Sequence, residues 1–80
     1  MFEMCEVEAS FRPNGLPRPT YLTWKDQKLT VVDYGRHWQD DDGWHLLIRV
    51  ADGTVFELLY NGFRWHGCSA SHRPSNRNFL

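Results

Sequence analysis

Trp44-His45-Leu46-Leu47-Ile48-Arg49-Val50-Ala51-Asp52-Gly53-Thr54-Val55-Phe56-Glu57-Leu58-Leu59-Tyr60 decides the fold. Two runs rich in β-branched and aromatic residues, the chemistry strands prefer, flank a turn signal. A two-residue turn at Asp52-Gly53 would pair Arg49 with Phe56 and Ile48 with Glu57, mixing charge with bulk on both faces. A three-residue loop with Gly53 in the left-handed conformation, closing a G1 bulge, pairs Val50 with Thr54 instead. Ile48 then faces Phe56, Leu46 faces Leu58 and Trp44 faces Tyr60. One face becomes Trp44, Leu46, Ile48, Val50, Phe56, Leu58 and Tyr60; the other holds His45, Leu47, Arg49, Val55, Glu57 and Leu59. Because a strand alternates with period 2, only the second register separates a core face from an outer one. It also sets Arg49 diagonal to Glu57, a cross-strand charge pair.

Downstream, Asn61-Gly62 is the strongest short hairpin signal in the chain. A two-residue turn there pairs Tyr60 with Phe63 and Leu58 with Trp65, adds both aromatics to the core face, and starts a fifth strand over Phe63–Cys68. Upstream, Thr20–Trp24 and Leu29–Tyr34 read as a hairpin about Asp26-Gln27, with Trp24 opposite Leu29 and Leu22 opposite Val31. That puts Leu22, Trp24, Leu29 and Val31 on one face and Tyr21, Thr23, Thr30 and Val32 on the other. Gly35 marks a bulge or bend, and Asp40-Asp41-Asp42-Gly43 a polar loop. Weak alternation over residues 2–11 predicts an N-terminal strand with Cys5, Val7 and Ala9 on one side. Pro13, Pro17 and Pro19 make residues 12–18 a connection.

The expected fold is therefore all-β: a small antiparallel meander of five to six strands curling into an SH3-like barrel, with an OB-fold as the alternative. Residues 1–69 form one domain, and residues 70–80, rich in Ser, Arg, Asn and Pro, form a flexible tail. A chain of 80 residues has a core worth only roughly 3–5 kcal/mol, so it needs staples or bulky apolar side chains. The 4 Trp, 5 Phe and 3 Tyr supply the second, each able to bury roughly 150–250 Å².

Lys+Arg 9 against Asp+Glu 10 excludes a strongly basic nucleic-acid binder, and no apolar run approaches a membrane span. The charge is uneven, however. Residues 11–38 hold five basic and two acidic side chains, and 61–80 hold three basic and none acidic. Met1–Ser10 carries three glutamates and no basic residue, unlike a secretory signal, so a reduced cytoplasmic setting is expected, with Cys5 and Cys68 as free thiols.

Chemical constellations are few. The Asp40–Asp42 run lacks the alternate spacing of a calcium loop. His66 and Cys68, with Cys5 and His72, have zinc-ligand chemistry without the paired short spacings of structural zinc. No nucleophile elbow or phosphate-cradling glycine loop occurs. The expectation is a chain that is not an enzyme, with no metal and no cofactor. Core places absorb Trp24, Trp44 and Trp65. Tyr21 and Trp38, with Arg18 and Arg36 nearby in sequence, are left as surface candidates, together with Leu47, Val55, Leu59 and Val32 on the second face. An apolar stripe of that kind marks a protein interface, so the expected partner is a protein or a second copy of the chain. Weak single-stranded nucleic-acid binding through the aromatics is the alternative. Arg77-Asn78-Phe79-Leu80 ends the tail as a frayed terminus.

The pattern Pro19-x-x-Leu22-x-Trp24-x-x-x-x-Leu29-x-Val31, then Trp38, Arg49-Val50, Asp52-Gly53, Phe56-Glu57-Leu58 and Trp65, resembles a family of small bacterial β-rich domains of unknown function. Its members occur alone, or attached to or encoded near Y-family polymerase-like DNA-repair proteins. The likeness spans roughly residues 17–66. Asp26-Gln27 stands where that family favours glycine and a basic residue, and Leu29 replaces an aromatic. The resemblance implies a bacterial, cytoplasmic accessory module linked to DNA repair and transfers no catalytic residue.

Overall fold

Six strands follow one another in the computed structural model, which describes residues 1–70: β1 (Glu3–Phe11), β2 (Pro17–Trp24), β3 (Gln27–Asp40), β4 (Gly43–Val50), β5 (Val55–Tyr60) and β6 (Trp65–Ser69). Each pairs antiparallel with the next, and β6 pairs back onto β1, closing the barrel in sequence order. This is the small SH3-like all-β barrel expected from the alternation. The tail from residue 71 onward, including His72 and Phe79, lies outside the described residues, while the Ala70 N–H still donates to the Val55 carbonyl. Among the described residues no helix is long and apolar enough to cross a membrane.

The β4–β5 hairpin has the register that separates the faces. Trp44 stands opposite Tyr60, Leu46 opposite Leu58 and Ile48 opposite Phe56. Gly53 takes φ +92°, and the Val50 N–H donates to the Thr54 carbonyl at 3.0 Å. The inner face merges with Leu16, Leu22 and Val31 into one core, against which the partly buried Val7, Trp24, Leu29, Tyr34, Trp44 and Trp65 pack. Trp24 meets Phe56 edge to face at 5.2 Å, and Trp65 lies 4.7 Å from Tyr60.

Two turns differ from expectation. The β2–β3 turn is Lys25-Asp26, both with positive φ, so Leu22 stands opposite Leu29 and Trp24 opposite Gln27. The pairing has moved by two positions. A shift of two preserves side-chain parity, so Leu22, Trp24, Leu29 and Val31 still share the inner face. The β5–β6 connection is also longer than a two-residue turn. Tyr60 pairs with Trp65 and Leu58 with Gly67, and Phe63, expected in the core, sits in the loop 78% exposed. Asn61 does not adopt the left-handed conformation a type I′ turn requires. Its side-chain oxygen instead accepts from the N–H groups of Phe63 and Arg64, at 2.9 and 2.7 Å. That Asx-type cap holds a wider loop.

β3 is longer than expected, running through Gly35 to Asp40, with register shifts between Val31 and Asp33 and between Tyr34 and His37. These bulges bend it around the barrel so that its first part pairs with β2 and most of its length with β4. β2 begins at Pro17, inside the segment read as a connection. Pro17 and Pro19 pair with β1 in a part of β2 that has no ladder partner on β3, and the Pro19 carbonyl accepts the Tyr34 hydroxyl instead.

Candidate functional site

Outward-facing positions of neighbouring strands line up across the sheet. Trp38 stands opposite His45, His45 opposite Leu59, Leu59 opposite His66, and His66 opposite Met4. Opposed residues share a face, so these five side chains form a belt across the outside of the barrel. The adjacent row is Leu47, Glu57 and Cys68. Leu47 and Leu59 are half-buried, Trp38 is 36% exposed and Met4 65%. Val55, assigned to the same outer stripe from the sequence, is 3% exposed and offers nothing to a partner. Val32 is exposed but lies apart on β3.

The aromatic–cation candidates do not converge. Tyr21 stands opposite Thr30, and Trp38 lies eight residues further along β3, roughly 25 Å of strand. Lys28 rests over the Tyr21 ring at 4.4 Å and pairs with Glu8 at 3.1 Å. Arg18 stacks over Tyr34 rather than Tyr21, 3.9 Å from the ring centroid, and Arg36 lies 5.9 Å from the Trp38 ring. Arg18 and Leu47 share a cleft of about 310 Å³ with Asp33, Tyr34 and His37. That is the low end of what encloses a small molecule, roughly 300–1,000 Å³.

The expected Arg49–Glu57 diagonal is present in the register, yet Arg49 reaches Asp33 at 3.8 Å, and Glu57 serves His45. His45 is the chemical centre of the belt. It is 8% exposed, and its ring stacks on Trp38 at 5.0 Å with 6° between planes. Its Nδ1 lies 3.1 Å from Glu57 Oε2. Its Nε2 lies 2.9 Å from Asp40 Oδ2, close enough for an ion pair, but in a direction that leaves the nitrogen with no hydrogen-bond partner. The sequence placed His45 on the outer face but gave it no role. The Asp40 contact depends on the β3–β4 turn pairing Asp40 with Gly43, which brings the end of β3 over the start of β4.

Burial opposes charge on His45, but the hydrogen bond to Glu57 and the Asp40 carboxylate beside Nε2 together outweigh it and raise its pKa. A raised histidine pKa stabilises the fold fully below the unfolded value of about 6.5, and the contribution is lost as pH rises through the folded value. The thermal midpoint of the metal-free protein should therefore fall from about pH 6 to about pH 8.5, and Glu57→Gln should flatten that slope. A wild-type midpoint that rises over this range would contradict the assignment. Asp40 and Asp52, held below the usual carboxylate range chiefly by backbone N–H groups, act in the opposite sense and lose their contribution in acid.

Among the described residues, the members of the zinc set considered from the sequence do not come together, and His72 lies outside them. Cys5 packs against the core, and a Cβ on Gly67 would stand 3.3 Å from its sulfur, whereas Cys68 shares the outer row with Glu57. The two free thiols therefore face opposite sides of the wall, and burial pushes the Cys5 thiol up to about 11.

Comparison with protein-family models, curated proteins and solved structures gives no match.

Proposed function

We propose that this chain is a non-enzymatic protein-binding module working through the outer belt that runs from β3 through β6 to β1. The observation that carries this reading is the continuity of Trp38, His45, Leu59, His66 and Met4 across five strands, with Leu47 beside them. A strip that mixes aromatic and aliphatic side chains with polar ones, between charged margins, is what a non-obligate protein interface presents. A second copy of the chain is its simplest occupant. A two-fold contact needs a self-complementary patch, and this one is flanked by Arg18, Arg36 and His37 as well as by Asp33, Asp40 and Asp42. The resemblance to repair-associated domains adds a setting to the same proposal, that of a bacterial, cytoplasmic accessory to DNA repair. Single-stranded nucleic acid fits less well, because Lys28 and Arg49 already face carboxylates and the exposed aromatics do not line one track.

Sedimentation equilibrium across a concentration series tests it. A dimer is expected, and Leu47→Glu with Leu59→Glu should weaken it at least about tenfold, since an interface charge without a partner costs more than 1.4 kcal/mol. A chain that stays monomeric throughout, or a dimer indifferent to both substitutions, overturns the self-association reading. Salt-sensitive anisotropy with a single-stranded oligonucleotide in that monomer would favour nucleic acid instead.

A further inference from the structure

The structure assigns Asp40, Asp42 and His45 to a divalent metal site at the β3–β4 turn, with Glu57 as the residue that orients the histidine. The three ligand atoms, one from each side chain, all lie within 4.8 Å of one another. Two acids at an exposed turn are common without a metal, so the inference rests on the histidine. His45 is 8% exposed, and its Nε2 points into the cluster without a hydrogen-bond partner. Nδ1 is occupied by Glu57 at 3.1 Å. A carboxylate holding one ring nitrogen fixes the tautomer and turns the lone pair of the other outward, which is how metal-binding histidines are supported. Asp40 Oδ2 lies 2.9 Å from that nitrogen, off the axis on which it would make a hydrogen bond. In the metal-free chain a proton on the imidazole answers this carboxylate; a divalent cation that displaces the proton would lie to one side of both atoms, because 2.9 Å is too short for a metal between them. For ligands about 2.1 Å from a metal, neighbouring corners of an octahedron stand roughly 3.0 Å apart, so the spacing fits two adjacent corners.

Asp40 is held in place, its Oδ1 accepting the Asp42 N–H at 2.8 Å. Asp42 is exposed and free to bring its carboxylate to a third corner. The remaining positions would be filled by water. One imidazole and two carboxylates make a mixed nitrogen–oxygen set, which selects a first-row divalent ion such as Co²⁺, Ni²⁺ or Zn²⁺ over Ca²⁺ or Mg²⁺. The Trp38 ring stacked on His45 shields one side of the imidazole and makes tryptophan fluorescence a reporter of occupancy.

The test titrates the full chain with Co²⁺, reading visible absorption, Trp38-sensitive fluorescence and the imidazole NMR signals. One equivalent should broaden the His45 signals before those of His37 and His66, and excess Mg²⁺ or Ca²⁺ should not reverse it. Asp42→Asn, at an exposed turn where folding is spared, should weaken binding at least about tenfold, and Glu57→Gln by about 10–100-fold. First perturbation at His37 or His66, or an Asp42→Asn chain that binds Co²⁺ as the wild type does, overturns the assignment. So does a wild-type chain that takes up no Co²⁺ at neutral pH.

Discussion

Gly43→Ala is expected to abolish most of the stability of the domain, at a cost of about 3–4 kcal/mol. Gly43 opens β4 with φ +128°, a backbone conformation that L side chains rarely adopt. A Cβ there would stand 2.2 Å from the Tyr60 carbonyl oxygen and 2.8 Å from the Asn61 Cα. Both obstacles are backbone, and both belong to the neighbouring hairpin, so relief would require β4 and β5 to part where Trp44 faces Tyr60. Gly53→Ala is the built-in control. Gly53 also has positive φ, at +92°, but nothing lies within 4 Å of its absent Cβ, so only the conformational penalty of about 1–2 kcal/mol applies. Urea denaturation of the two variants measures the difference. Equal losses would show that the strand start yields easily and that the contact with Tyr60 does not matter.

Ile48→Ala should be comparably severe. Ile48 has no exposed surface, and it sits between Tyr34 on β3 and Phe56 on β5 in the middle of the sheet. Removing its outer carbons costs about 2–5 kcal/mol, because a closed barrel relaxes poorly into the void, while Ile48→Val should cost only about 0.5–1.5 kcal/mol. Set against a core worth roughly 3–5 kcal/mol, the alanine variant should be largely unfolded at room temperature and the valine variant folded. Circular dichroism with urea titration reads both, and a cooperative, near-wild-type midpoint for Ile48→Ala would mean that the barrel collapses around the loss.

The readability of this fold from its residues followed the physics of each turn. Asp52-Gly53 could be solved because only one register separates charge from bulk, and the burial of Leu46, Ile48, Phe56 and Leu58 follows from it. Lys25-Asp26 was not readable, because neither residue advertises a left-handed conformation as glycine does. Asn61-Gly62 misled because the asparagine acts through its side chain rather than its backbone. Both displaced hairpins moved by an even number of positions, which is why the face assignments of Leu22, Trp24 and Trp65 survived while Phe63 did not. At the candidate site, the outward placement of His45, Leu47 and Leu59 was legible from alternation. The meeting of His45 with Asp40 and Trp38 was not, since it depends on which residues of the Asp40–Gly43 run form the β3–β4 turn, and three consecutive aspartates do not mark them. Val55 was placed on the correct face, but its burial could not be read from parity alone.

The seam between β1 and β6 holds only three residue pairs, Glu3 with Gly67, Met4 with His66 and Cys5 with Trp65. Five of the six joints in this ring are hairpins, where a peptide connection keeps the partners at high local concentration whatever the ladder does. The sixth has no such tether among the described residues. The ring is thus cyclic in hydrogen bonding but linear in covalent order. A circular permutant that joined the seam with a short linker and cut an existing hairpin would keep every strand neighbour, moving the untethered joint to another point on the same circle.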